Sequence, residues 1–136
     1  MNWRRLRPGE TDHEMVWLGV SLGGLACAWL WLRLGLPTPL CPFHTITGCA
    51  CPGCGATRCM RFALGGNFAA AFGMNPLALC LFAATAVFDL YAATVLALRL
   101  PRLRADTLPA WAGKSARLAA ITTIAANWAW LVWRGV

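Results

Sequence analysis

The chain is 136 residues long, room for one domain, and 59% of its residues are apolar against 12% charged, where a water-soluble domain has about 45–50% and about 25%. That balance excludes an ordinary soluble core and indicates an integral membrane protein. The net charge of +7 does not point to nucleic acid, because the twelve Lys and Arg are spread along the chain and several flank apolar runs, where they meet anionic head groups.

Residues 1–14 carry Arg4, Arg5 and Arg7 beside Glu10, Asp12 and Glu14 with no hydrophobic period, and read as a leader or an interfacial stub. No charge appears from Met15 to Leu32; at the helical rise this run covers about 27 Å, enough to cross hydrocarbon, with Arg33 snorkelling at the far end. The first span is therefore expected over residues 15–33. Gly19, Gly23 and Cys27 share one of its faces at four-residue spacing, a close-packing stripe. Cys27, like Cys80 further on, is expected to be a buried small hydrophobe. The basic start, apolar run and Ala26-Cys27-Ala28 imitate a secretory signal, but Trp29 to Leu36 continue the run beyond the imitated cut, so no cleavage is expected.

Five cysteines then fall within nineteen positions, Cys41, Cys49, Cys51, Cys54 and Cys59, with His44 among them. From Thr57 to Phe72 the pattern predicts two short helical pieces separated by Gly65-Gly66, with Asn67 capping the second. These are too short to span and should lie in the interface. Asn75-Pro76 opens the second span, Asn as cap and Pro at the first helical position, and it runs over about 76–98. Residues 99–117 form a basic loop with Arg99, Arg102, Arg104, Lys114, Arg117 and two prolines. The third span, about 118–133, ends among Trp128, Trp130 and Trp133. All eight Trp sit at or near the ends of apolar runs, as interfacial belts require.

The N-terminal segment and the 99–117 loop hold eight Lys and Arg, and the rest of the chain four. This bias puts the N-terminus in the cytoplasm and the Cys-rich loop, residues 41–75, on the outer, oxidising side.

Three chemistries fit the loop. In Cys51-Pro52-Gly53-Cys54-Gly55, Pro sets the turn, glycines permit positive φ, and backbone amides can point at thiolate sulfur, as in a metal knuckle. A zinc site would draw its further ligands from Cys41, His44, Cys49 or Cys59. A redox reading uses Cys54, just before a helix start and near Arg58 and Arg61, all of which favour a thiolate, with Cys51 and Cys41 or Cys49 as exchange partners. The plainest reading is a disulfide tying a loop with little core of its own. Asp89 is the only acid inside a span, costly there unless paired or protonated, with Arg58 as a candidate partner and interhelical bonding as the simpler role. Asn127 in the third span reads as interhelical glue. Both His13 and His44 lie outside the spans, which leaves a transmembrane haem unsupported, and no phosphate loop or hydrolytic set is present.

Cys41-Pro42, Thr47-Gly48, Cys51-Pro52-Gly53-Cys54-Gly55, Thr57-Arg58 and Asn75-Pro76 together resemble the motif of small bacterial membrane proteins grouped as domain of unknown function 2752. The resemblance implies that Cys41, Cys51, Cys54 and Arg58 belong to the family's motif, whereas His44, Cys49 and Cys59 are particular to this chain. It carries no settled activity. The expectation is an all-α membrane protein with three transmembrane helices, a Cys-rich loop and short interfacial helices between the first and second. The chain would be a multi-pass protein of the bacterial inner membrane, acting as an accessory or assembly subunit beside a membrane-protein partner. A membrane thiol–disulfide oxidoreductase and a zinc-binding protein are the alternatives. No cofactor other than zinc and no nucleic-acid partner are implied.

Overall fold

A computed structural model describes residues 2–4, 9–37, 41–104 and 110–136. In chain order the elements are β1 (Asn2–Arg4), α1 (His13–Arg33), α2 (Pro42–Thr47), α3 (Ala56–Leu64), α4 (Phe68–Met74), α5 (Pro76–Ala97), β2 (Arg102–Arg104) and α6 (Ala110–Arg134). Among the described residues the regular structure is helical apart from β1 and β2, which pair antiparallel with Trp3 opposite Leu103. The expected leader and basic loop thus join in a short ribbon. Residues 1 and 5–8 of the leader and 105–109 of the loop lie outside the described residues.

Among the described residues two helices are long and apolar enough to cross a membrane, α1 over His13–Trp31 and α5 over its whole length. Only 6% and 11% of these stretches are buried within the protein, whereas a soluble protein's core helix would be largely covered. Trp17, Val20, Leu22 and Trp29 on α1, and Leu81, Val87 and Leu90 on α5, are exposed in this way. The third expected span falls within α6, which begins eight residues earlier than expected and carries Lys114 and Arg117 in its first turns. It is long enough but too polar there to stand with the other two.

The chain divides into two compact units, one of residues 1–38 and 85–108 and one of residues 39–84 and 109–136. In the first, Ser21 Oγ donates to the Asp89 carboxylate at 2.6 Å, and Ala92 and Val95 of α5 are buried. Asp89 thus has a hydroxyl partner, and Arg58 belongs to the other unit. The packing expectations for the cysteines do not hold. Cys27 and Cys80 are exposed, and a Cβ on Gly19 or Gly23 would meet nothing within 4 Å, because α1 turns Glu14, Leu18 and Ser21 inward instead.

In the second unit, Cys59, Ala71 and Ala78 form the centre of a small core, covered by Ala56, Ala63, Met74, Leu79 and Phe82. Small side chains at i, i+3 and i+7 of α3, Ala56, Cys59 and Ala63, let it pack closely on α4. The two short helices predicted between Thr57 and Phe72 are α3 and α4, and Asn67 Oδ1 accepts from the Ala70 amide at 3.0 Å, capping the second as expected.

Candidate functional site

Each part of the Cys motif has a local structural task. Cys41 stands at the N-cap of α2 and Pro42 follows it inside the first turn, where proline's missing N–H is no loss. Thr47 ends the helix, donating to the Phe43 carbonyl at 2.7 Å and accepting from the Cys49 amide. Gly48 closes it at φ 71°, its amide bonded to the His44 carbonyl. Sequence reading missed α2, although Pro at a helix start and Gly just past its end was the available signal. The second turn runs from Cys51 to Cys54. The Cys54 amide donates to the Cys51 carbonyl at 3.0 Å, and the Cys51 amide points back to Cys54 Sγ at 3.1 Å. Of its two glycines only Gly55 adopts positive φ, at 78°, as the N-cap of α3.

These turns bring three sulfurs together. Cys41 Sγ lies 3.3 Å and Cys54 Sγ 3.2 Å from Cys51 Sγ, and all three sulfurs fall within 4.8 Å of one another. They are half-buried thiols, and at these separations none is bonded to another, since a disulfide holds its sulfurs at about 2.05 Å. Cys41, Cys51 and Cys54 are close enough to hold a metal ion. With metal–sulfur bonds of about 2.3 Å in a tetrahedron, the sulfurs would stand about 3.8 Å apart, so an ion needs them to part by only about half an ångström.

His44, Cys49 and Cys59 are not in the cluster. His44 and Cys49 are exposed, and Cys59 is fully buried in the small core with its thiol 3.6 Å from the Asn75 carbonyl. Thr57 and Arg58, though in the motif, are exposed on α3.

The electrostatics reverse one expectation. The helix start that favours a thiolate is that of α2, where the His44 amide first and the Cys51 thiol next hold the Cys41 thiol below its ordinary value. Burial, reinforced by the Cys51 thiol, pushes Cys54 up to about 11. Burial likewise raises the Cys59 thiol.

The loop is fastened from behind by three polar side chains. Asn75 Oδ1 accepts from the Ala78 amide at 2.9 Å, capping α5 as expected, and its Nδ2 donates to the carbonyls of Cys54 at 3.0 Å and Pro52 at 3.3 Å. Asn127 of α6 accepts from the Leu77 amide at 3.0 Å and donates to the same Pro52 carbonyl at 3.3 Å. Trp128 Nε1 donates to the Ala50 carbonyl at 2.7 Å, with its ring edge-on to Phe43. Asn127 is therefore glue between α5, α6 and the Cys turn at once. Trp128, taken for part of an interfacial belt, is also an anchor of the site. Nothing local in the sequence marks either role, because the partners are 75 and 78 residues away.

No curated protein and no solved structure matches the chain. A family model does match, over residues 41–88, the stretch that begins at Cys41 and carries the whole motif. That family is described as protein of unknown function (DUF2752), and it is the one the motif resembles.

Proposed function

We propose that the chain is a multi-pass membrane protein that holds one thiophilic metal ion between its first two spans, through the thiolates of Cys41, Cys51 and Cys54. The observation that carries this reading is the convergence of three sulfurs from two separate turns. A scaffold disulfide needs two cysteines, and a third at the same distance is surplus to it. The amides of His44 and Cys51, directed at Cys41 and Cys54 sulfur, suit a metal–thiolate centre, as donors to ligating sulfur do elsewhere.

The decisive measurement is elemental analysis with thiol counting, with and without reductant, on protein purified in detergent after growth with added metals. About one metal ion per chain is expected, lost when any of the three cysteines becomes serine and kept in Cys49→Ser. Metal-free protein with Cys51 oxidised to Cys41 or Cys54 would overturn the reading in favour of a structural disulfide. A mixed disulfide trapped with another protein in Cys54→Ser would favour the exchange enzyme.

In this reading α6 supplies the third span over residues 118–133, the N-terminus is cytoplasmic and the Cys loop lies on the outer side of the bacterial inner membrane. Two features support it. The β1–β2 pairing gathers the two most basic segments together, and Val136 lies against Gly55, so the C-terminal end and the Cys loop share one end of their unit.

A role as an accessory or assembly subunit is favoured by the open glycine face of α1, where space remains for a helix of another protein to approach. Cross-linking in membranes should capture a partner on that face, and Gly19→Leu or Gly23→Leu should abolish capture. Recovery of a stable monomer with no cross-linked partner would count against it.

A further inference from the structure

The ligand set narrows the ion. All three donors are sulfur, and among the described residues no His or carboxylate stands with them, which selects soft metals over calcium, magnesium or manganese. The set also stops at three. Structural zinc takes four protein ligands in a closed tetrahedron, and the residues that could have supplied a fourth, His44, Cys49 and Cys59, stand outside the cluster. Monovalent copper is a soft ion among thiolates, and with one positive charge less than zinc it is satisfied by three of them without a fourth ligand.

Charge points the same way. A copper(I) ion with three thiolates is a dianion, one charge more negative than the zinc equivalent, and a site near lipid must offset it. From Cys41 to Met74 the loop has no acid, and it has Arg58 and Arg61. Arg58 follows Cys54 by four residues at the start of α3, whose first-turn amides add positive field at that end. Cys41, Cys51 and Cys54 are each half-buried rather than sealed, which leaves the ion open to exchange with an incoming thiol.

Resting on the metal-site reading above, we infer that the triad is a three-coordinate copper(I) site, with Cys41, Cys51 and Cys54 as its whole protein ligand set.

The test titrates the full chain, reduced and in detergent under anaerobic conditions, with copper(I) alone and with zinc(II) alone, each against a competing chelator. X-ray absorption of the loaded protein then counts the neighbours of the metal. One copper(I) per chain with three sulfur neighbours is expected, retained against about a tenfold excess of zinc. Cys41→Ser is the sharpest variant, because serine is a favoured N-cap and preserves α2 while removing a soft ligand. It should weaken copper(I) binding about tenfold or more, and Cys49→Ser should stay within about twofold. Helical circular dichroism of both variants confirms that each is folded. Zinc binding with four ligands, or displacement of copper by that zinc excess, overturns the copper assignment and leaves the metal site standing. Failure to bind either ion overturns both.

Discussion

At Gly55 an added methyl group would stand 2.8 Å from Val136 Cγ1 and 3.0 Å from the Met74 carbonyl oxygen, on a backbone at φ 78°. The valine can turn away, but the carbonyl belongs to the end of α4 and cannot. Gly55→Ala should therefore cost about 1–2 kcal/mol for the left-handed backbone alone, with the carbonyl contact adding to it. Thermal unfolding in detergent reads the loss, and reduced metal content shows that the adjoining turn has shifted. The two outer cysteines of the triad should also separate by pH. In metal-free, reduced protein at about pH 8, iodoacetamide should label Cys41 well before Cys54, because only the thiolate reacts and Cys54 is then thiolate in on the order of one molecule in a thousand. Mass mapping of a time course checks this order. The same asymmetry has a sign for stability. Cys54 titrates near 11 in the folded chain against an ordinary 9.0, so its contribution is complete below about pH 9 and is lost as pH rises towards 11. Denaturation of the metal-free protein on either side of that window should show the loss, and Cys54→Ser should remove it.

Among the elements, the start of α5 is the best provided with partners. Pro76 has no amide to satisfy, Leu77 donates to Asn127, and Ala78 donates to Asn75. Near lipid such completeness matters, since a lone amide there costs several kcal/mol. Two substitutions separate the jobs of Asn75. Asn75→Ala removes cap and fastening together and should cost about 1–2 kcal/mol through the cap alone. Asn75→Asp keeps the acceptor for Ala78 but loses the donors to Pro52 and Cys54, so it should leave α5 intact and still lower metal occupancy. Comparing helical content with metal content across the pair distinguishes these outcomes. The capping residues Asn67 and Asn75, and Pro76 after the second, were legible because capping is local and has its own residue types. Helix α2 was not, because six residues carry no hydrophobic period and its Cys N-cap is an unusual one. The choice of Cys41 over Cys49 as third sulfur was legible only through family resemblance, since spacing alone favours neither.

For the molecule as a whole, the apolar runs of α1 and α5 were plain in the composition, because a lipid-facing helix needs no polar face. The β1–β2 ribbon was not, since its strands are three residues long and about a hundred residues apart, and nothing periodic marks either. Orientation can be checked through Cys49, which is exposed and stands outside the triad. In a variant with the other cysteines replaced, a membrane-impermeant maleimide added to spheroplasts should label Cys49 without detergent. Labelling only after lysis would invert the topology.

The shared grip of Asn75 and Asn127 on the Pro52 carbonyl also sets an order in time. Asn127 follows Pro52 by 75 residues, which at about 5–20 residues per second takes the ribosome about 4–15 s. Asn75 is made only 23 residues after Pro52 and can take its share of the grip early, but the shares of Asn127 and Trp128 wait for the arrival of α6, which locks the turn. A chain stalled or cut before Asn127 would insert its first helices yet leave the cysteines loosely held and open to stray oxidation, so synthesis through α6 is itself the licence for the site to form.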